Sequence, residues 1–310
     1  MNGRSSQIVA AALAGALFVA APAARAFVRA KTVDGIPVYW TTNCTTVTIY
    51  LNGFTMMSRD ETAKSLGAAA HAWSPDAVTC PGADGGAFHP YFEIVPGMAE
   101  DTATPPTVGN DGRNVVVFRN NDWPVDLPID ALAVTSLTKK RDGRILDADV
   151  EINAEYIEWA NLDPASGGHG QTDPFDLQDA MTHEFGHLIG LDHTCHTLAD
   201  AGRQIDNNGD PVPDCDSAPP DVRRPVMFAV LGADQITQRV LSPDDIAGVC
   251  EIYPAARDPK TCSLDLPDDG CGCTAVPPRS AGLEVAISTA ISAIAARLRR
   301  RARSPRTPVV

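Results

Sequence analysis

The 310-residue chain has no C-x-x-C pair, no internal repeat and no apolar run long enough to cross a bilayer comfortably. The first absence makes a zinc-ribbon reading of its cysteines poor. The second removes solenoids and propellers, and the third leaves no stretch of the ~20 apolar residues a spanning helix needs. Positive charge is also scarce: 25 Lys and Arg stand against 39 Asp and Glu, a formal net charge of −14. Residues 1–26 carry two Arg and no acid and residues 274–310 seven Arg and one Glu, so residues 27–273 are more acidic than the whole. Such a surface repels nucleic-acid phosphates and anionic lipid, which excludes both as partners of this region. It also keeps the chain soluble and favours bound divalent cations. Hydrophobic residues at 44% and charged residues at 21% suit a soluble globular protein of one large or two small domains.

The N-terminus reads as a secretory signal over residues 1–26. Arg4 supplies the positive start, Ile8–Ala20 the short apolar run and Ala24-Arg25-Ala26 the cleavage site. The mature chain is then expected to begin at Phe27, where the absence of Cys argues against N-terminal lipidation. Eight cysteines in an exported chain point to disulfides. Sequence does not fix their connectivity; pairing of neighbours gives Cys44 with Cys80, Cys195 with Cys215 and Cys250 with Cys262.

Strand signals fall at Val47–Asn52, Tyr91–Val95, Asn114–Phe118, Ala131–Leu137 and Ile145–Ile152, separated by Gly, Pro, Asp and Asn. Ser58 with Glu61 forms a capping box that opens a helix, whose apolar face is Leu66, Ala70 and Trp73. A second helix covers Asp176–Ile189, starting at Asp173-Pro174 or at Asp176. A third covers Pro243–Tyr253, capped by Ser242 and Asp245, with Ile246, Val249 and Ile252 facing inward. The polar, Pro- and Asp-rich stretch Cys195–Pro225 reads as a loop.

The chemistry lies in His183-Glu184-Phe185-Gly186-His187-Leu188-Ile189-Gly190-Leu191-Asp192-His193. Residues four apart share a helix face, so His183 and His187 can both aim a nitrogen at one ion. Gly190 lets the backbone leave the helix through a left-handed turn, and His193 then arrives as the third ligand. Three neutral imidazoles leave a zinc ion its full charge and one open position. Glu184, next to His183, is placed as general base. Five such fixed positions coincide by chance in about one such sequence in 10⁵.

This stretch resembles the metzincin signature, and HEFGHLIGLDH looks like the matrixin branch of those zinc peptidases. Pro225-Val226-Met227-Phe228 is similar to the family's methionine turn, which implies that Met227 packs beneath the metal without ligating it. Residues 241–249 (LSPDDIAGV) resemble the Asp-Asp helix after that turn, and 143–153 (GRILDADVEIN) the last sheet strand of bacterial relatives. The likeness spans roughly residues 36–256. It implies that a substrate lies extended along an edge strand, here Ala131, Leu132, Ala133 and Val134 within 131–138, although an ordinary edge strand reads the same way. Phe228–Leu241 would shape a pocket for a hydrophobic side chain just after the cut.

The chain departs from the family in several places. About 33 residues separate His193 from Met227, far more than in typical matrixins, and this insertion holds two cysteines. Phe228 stands where the family has Tyr, the His-x-Asp group of a second, structural zinc is missing, and no cysteine-switch propeptide fits after Phe27. Asp206, Asn208, Asp210 and Asp214 have calcium-loop spacing, but Pro211 and Ser217 break the pattern, so a plain polar turn competes with calcium. Asp147 and Asp149 read equally as cation ligands and as solvated strand ends. His169, in a GGHG stretch, reads as a loop residue. At the C-terminus, Cys271 and Cys273 precede the apolar run 281–296, broken by Glu284, and then an Arg cluster at 297–303. This resembles a MYXO-CTERM sorting tail that holds its arginines in the cytoplasm; an amphipathic or disordered tail is the alternative.

The expected fold is therefore an α/β (α+β) metzincin fold: a twisted mixed five-stranded sheet with the active-site helix, and a small C-terminal subdomain carrying the methionine turn and a last helix. The expected domains are a signal at 1–26, a catalytic domain at 27–256, a Cys-containing linker at 257–280 and a tail at 281–310. The expected function is zinc-dependent cleavage of peptide bonds in protein substrates outside the cytoplasm, with possible cell-surface attachment through the tail. The alternative is a surface-anchored, non-catalytic zinc-binding adhesion protein.

Overall fold

A computed structural model describes residues 26–260, apart from 83, 102–103, 105–106, 163–172, 199 and 201, together with the backbone of Ser292–Ala296. Residues 1–25 of the signal, His169, Cys262, Cys271, Cys273 and the Arg cluster at 297–303 lie outside the described residues.

The body of the fold is a mixed five-stranded sheet. Its strands are β1 (Cys44–Tyr50), β2 (Glu93–Met98), β3 (Val115–Arg119), β4 (Ala131–Lys139) and β5 (Ile145–Asn153). Their spatial order is β4-β5-β3-β1-β2, with every pair parallel except antiparallel β4 and β5. The β-branched runs behave as their composition dictates. In β1, Val47 and Ile49 are buried while Thr46, Thr48 and Tyr50, alternating with them, are partly exposed; β3 and β5, covered on both sides, are almost wholly buried. The parallel step from β1 to β2 needs a crossover, which α1 (Arg59–Ala72) supplies. Its capping box is present as Ser58 and Glu61, and Leu66, Ala70 and Trp73 are buried.

Helix α2 (Leu177–Leu188) starts at Asp176, whose side chain accepts from the Asp179 N–H, and eleven of its twelve residues are buried. It packs against α1, where the Trp73 indole donates to the Thr182 carbonyl at 2.8 Å, and against β4. Two short segments extend the sheet beyond β4: β6 (Val230–Leu231) and β7 (Ser292–Ala296), in the order β6-β7-β4. The five expected strands stand together, and these two segments lengthen the sheet to seven. An open β4 edge presents unpaired backbone groups, and a piece of the 281–296 run, read from its hydropathy as a tail, pairs with them.

The last helix, α3 (Pro243–Ile252), is capped by Ser242 with Pro243 at its first position and Asp245 closing the box. Val249 and Ile252 are buried and Ile246 is half-buried against the core. The stretch 195–225 is not entirely loop: it contains a 3-10 turn at Cys215–Ser217 and a helical turn at Pro220–Arg223.

Two disulfides join described residues, Cys80–Cys250 and Cys195–Cys215. The second was expected. The first corrects two pairings, Cys44–Cys80 and Cys250–Cys262: the fold carries the Cys80–Pro81 strand against α3, so Cys80 meets a partner 170 residues away. Cys44 is also disulfide-bonded. The disulfides fit an oxidising compartment. Among the described residues no helix is long and apolar enough to cross a membrane.

Candidate metal centre

Helix α2 places His183 and His187 one turn apart, both buried. It ends at Ile189, and Gly190 follows with φ +106°. No side chain suits that position: the backbone is left-handed, and a β-carbon there would sit 3.0 Å from the Val38 carbonyl. The turn delivers Leu191 and Asp192, which pair with Val28–Arg29, and then buried His193.

The imidazoles are oriented by what their Nδ1 atoms face. His183 Nδ1 lies 2.6 Å from the Val226 carbonyl and His187 Nδ1 lies 3.0 Å from the Leu191 carbonyl. His193 Nδ1 lies 3.3 Å from an Asp200 carboxylate oxygen. Carbonyls and carboxylates only accept, so each Nδ1 carries the hydrogen and each Nε2 presents a lone pair. The three Nε2 atoms face one another, His183 to His187 at 3.0 Å and His187 to His193 at 3.2 Å. Three converging lone pairs repel unless a cation lies between them. Tetrahedral ligands at 2.0–2.1 Å from zinc stand about 3.3 Å apart, which matches these separations. Among the described residues this is the only group of three or more His, Cys, Asp or Glu whose ligand atoms converge, so the three histidines can hold a metal ion.

The protonation preferences of two of the three histidines point the same way. Burial lowers His183 well below the usual imidazole range, and the neighbouring His187 and His193 add to the effect. Burial likewise lowers His187 to about 3. Both are neutral, as ligands must be. For His193 burial acts in the same direction, but the carboxylates of Asp200, Asp192 and Glu184 together outweigh it and the balance is raised.

Glu184 is fully buried beside them. The Thr135 hydroxyl, from β4, donates to its Oε2 at 2.5 Å, while Oε1 finds no hydrogen-bond partner among the described residues. Burial pushes Glu184 up to about 7, against the Thr135 hydrogen bond that lowers it. A buried carboxylate oxygen without a partner beside three converging nitrogens is a donor set built for a cation and a polar ligand.

Beneath the helix, Met227 fills the place that Gly186 leaves free. A β-carbon on Gly186 would run into Met227 Sδ and come within 2.9 Å of the Trp73 ring. Gly186→Ala is therefore expected to destabilise the chain by about 1–3 kcal/mol through overpacking. In chemical denaturation the loss should shrink when Met227→Ala is added. A Gly186→Ala chain as stable as the unaltered one would contradict this contact. Buried Asp245 holds the same turn: its Oδ2 accepts from the Val226 N–H at 2.9 Å and its Oδ1 from the Met227 N–H at 3.2 Å. The capping acid of α3 thus fixes the peptide whose carbonyl orients His183.

Ala131, Leu132, Ala133 and Val134 are buried in β4, and β7 runs antiparallel beside them, with Ser292 opposite Thr135, Ala293 opposite Val134 and Ala295 opposite Ala131. The segment read as an edge is thus paired in this structure. Phe228–Leu241 is anchored by the Gln238 amide donating to the Phe228 carbonyl and by Arg239 paired with Asp176. Asp206, Asn208, Asp210 and Asp214 form a polar turn. The Asp206 carboxylate accepts from the N–H groups of Asn208 and Asp210, and Asp214 pairs with Arg203. Asp147 and Asp149 are buried, which corrects their reading as solvated strand ends. The 109–115 segment folds over them and donates the N–H groups of Gly109, Asp111, Gly112 and Val115.

Thr135 and Asp200 carry no signal in the sequence, since each meets the site only through tertiary packing. The second acid of the Asp-Asp pair was legible as a cap but not as the support of His183. No family model matches the chain, and no curated protein matches it.

Proposed function

We propose that the chain is an exported zinc metalloendopeptidase with a metzincin, matrixin-like fold, cutting internal peptide bonds of protein substrates. The reading is carried by one arrangement: three Nε2 lone pairs converge beside a buried glutamate with one free carboxylate oxygen. His183, His187 and His193 would hold the zinc. When bound, it supplies Lewis acidity, making water nucleophilic near neutral pH and polarising a carbonyl. Glu184 accepts a proton from the attacking water as its oxygen bonds to the carbonyl carbon. It then returns that proton to the amine as the C–N bond breaks. Thr135 holds Oε2, which keeps the other oxygen aimed at the reacting atoms.

The substrate strand would take the place of β7 along β4, passing over Thr135 and the base it holds. The Phe228–Leu241 segment would receive a hydrophobic side chain just after the cut. The C-terminal tail would serve sorting and surface attachment rather than catalysis. A second, purely adhesive role gains nothing from a buried Glu184 with a free oxygen.

Purified chain is expected to carry one zinc, to cleave peptides internally, to lose both zinc and cleavage to a strong chelator, and to regain cleavage with added zinc. Elemental analysis finding no zinc in a chain with unaltered histidines, or zinc-loaded chain leaving every internal bond intact, would contradict the proposal.

A further inference from the structure

Two of the three histidines take their orientation from backbone carbonyls that belong to the site's own frame, Val226 and Leu191. His193 takes its orientation from a side chain in the 195–225 insertion: Asp200 Oδ1 lies 3.3 Å from His193 Nδ1, and the Asp200 side chain is only 4% exposed. The same carboxylate is held in turn. Its Oδ2 accepts from the Thr197 N–H at 2.5 Å and from the Thr197 hydroxyl at 3.0 Å, and His196 Nδ1 stands 3.6 Å away. The segment is pinned at its base by Cys195–Cys215, by the His196 N–H on the Pro213 carbonyl at 2.8 Å and by the Cys215 N–H on the His196 carbonyl at 3.1 Å.

We propose that Asp200 is a positioning residue of the metal centre, so that the insertion completes the third ligand. The carboxylate fixes His193 in the tautomer that presents Nε2, restrains the ring against rotation, and makes it a stronger donor to a cation. The inference rests on the zinc reading of the three histidines. It gives the unusual length between His193 and Met227 a use, since the segment that carries Asp200 is held at its base within that length.

The test is a zinc competition titration against a chromogenic chelator, on full-length chain and without substrate. Asp200→Ala is expected to weaken zinc binding about 10- to 100-fold, with Asp200→Asn between it and the unaltered chain because an oxygen acceptor remains. Asp200→Ala also removes the Thr197 hydrogen bonds, so a loss from loosening of the loop must be separated from a loss through His193. In a His193→Ala background Asp200→Ala is expected to add no further weakening, since the residue acts through that ring. Equal zinc affinity in Asp200→Ala and unaltered chain, or an undiminished effect in the His193→Ala background, would overturn the proposal. Failure of the unaltered chain to bind zinc would remove the reading beneath it. Zinc binding that responds as stated in a chain that cuts no peptide would uphold the role of Asp200 and overturn the peptidase alone.

Discussion

Glu184→Ala is expected to lower peptide cleavage by at least about 10²-fold while the chain keeps its zinc, because only the proton transfer is lost. The separation of the two effects follows from the geometry. The metal would be held by three Nε2 atoms, oriented by Val226, Leu191 and Asp200, and none of these contacts involves the Glu184 carboxylate. The glutamate makes one side-chain hydrogen bond, from Thr135, and its second oxygen is free for the reacting water. Glu184→Gln, which keeps the shape and the Thr135 contact, should lose as much, since an amide cannot take the proton. Thr135→Val removes the hydroxyl that restrains the base and is expected to cost no more than about 10-fold, with Thr135→Ser restoring most of it. Steady-state cleavage with zinc content measured on the same samples checks all three. Retained activity in Glu184→Ala would mean that another base does the work.

The second large effect concerns stability. In the chain-entropy description, closing the 170-residue separation of Cys80 and Cys250 is worth about 5 kcal/mol, and closing the 20-residue separation of Cys195 and Cys215 about 3 kcal/mol. Cys80→Ser is therefore expected to destabilise the chain more than Cys195→Ser. Cys250→Ser should match Cys80→Ser, since either breaks the same bridge. Where the bridge lies sharpens the expectation. Cys250 sits on α3, the helix whose Asp245 holds the Val226–Met227 turn, so losing this bridge frees the support of His183 from the Cys80–Pro81 segment. The Cys195–Cys215 bridge holds only the insertion, and its loss should leave the sheet intact while loosening Asp200. Denaturant titration of the variants under non-reducing conditions decides between them. Equal losses, or a larger loss for Cys195→Ser, would contradict the account.

The centre itself was legible because its ligands follow local rules. A four-residue spacing puts His183 and His187 on one helix face, and Gly190 marks where the chain turns left-handed between His187 and His193. The helix caps at Ser58, Asp176 and Ser242 were legible for the same reason: each satisfies N–H groups within three residues of itself. What failed was whatever depends on residues brought together from afar. The rule of pairing neighbouring cysteines assumes short loops, and the fold instead carries Cys80 to α3. The acids of β5 alternate as surface residues would, yet the 109–115 segment covers them and satisfies their oxygens with backbone N–H groups. Ser292–Ala296 lies in a run too alanine-rich to declare a strand; it pairs with β4 because that edge offers backbone partners. Asp200, in a polar loop seven residues beyond His193, is indistinguishable in sequence from the solvated acids around it.

The central claim is that His183, His187 and His193 hold one zinc ion through Nε2, with Glu184 beside it. Anomalous X-ray scattering on crystals of the purified chain, collected on both sides of the zinc absorption edge, tests it most directly. The account predicts a single strong peak at about 2.0–2.1 Å from each of the three Nε2 atoms, with the Glu184 carboxylate near but not bonded to it. A zinc-supplied crystal with no peak between these histidines, or a peak held by other residues, would contradict it.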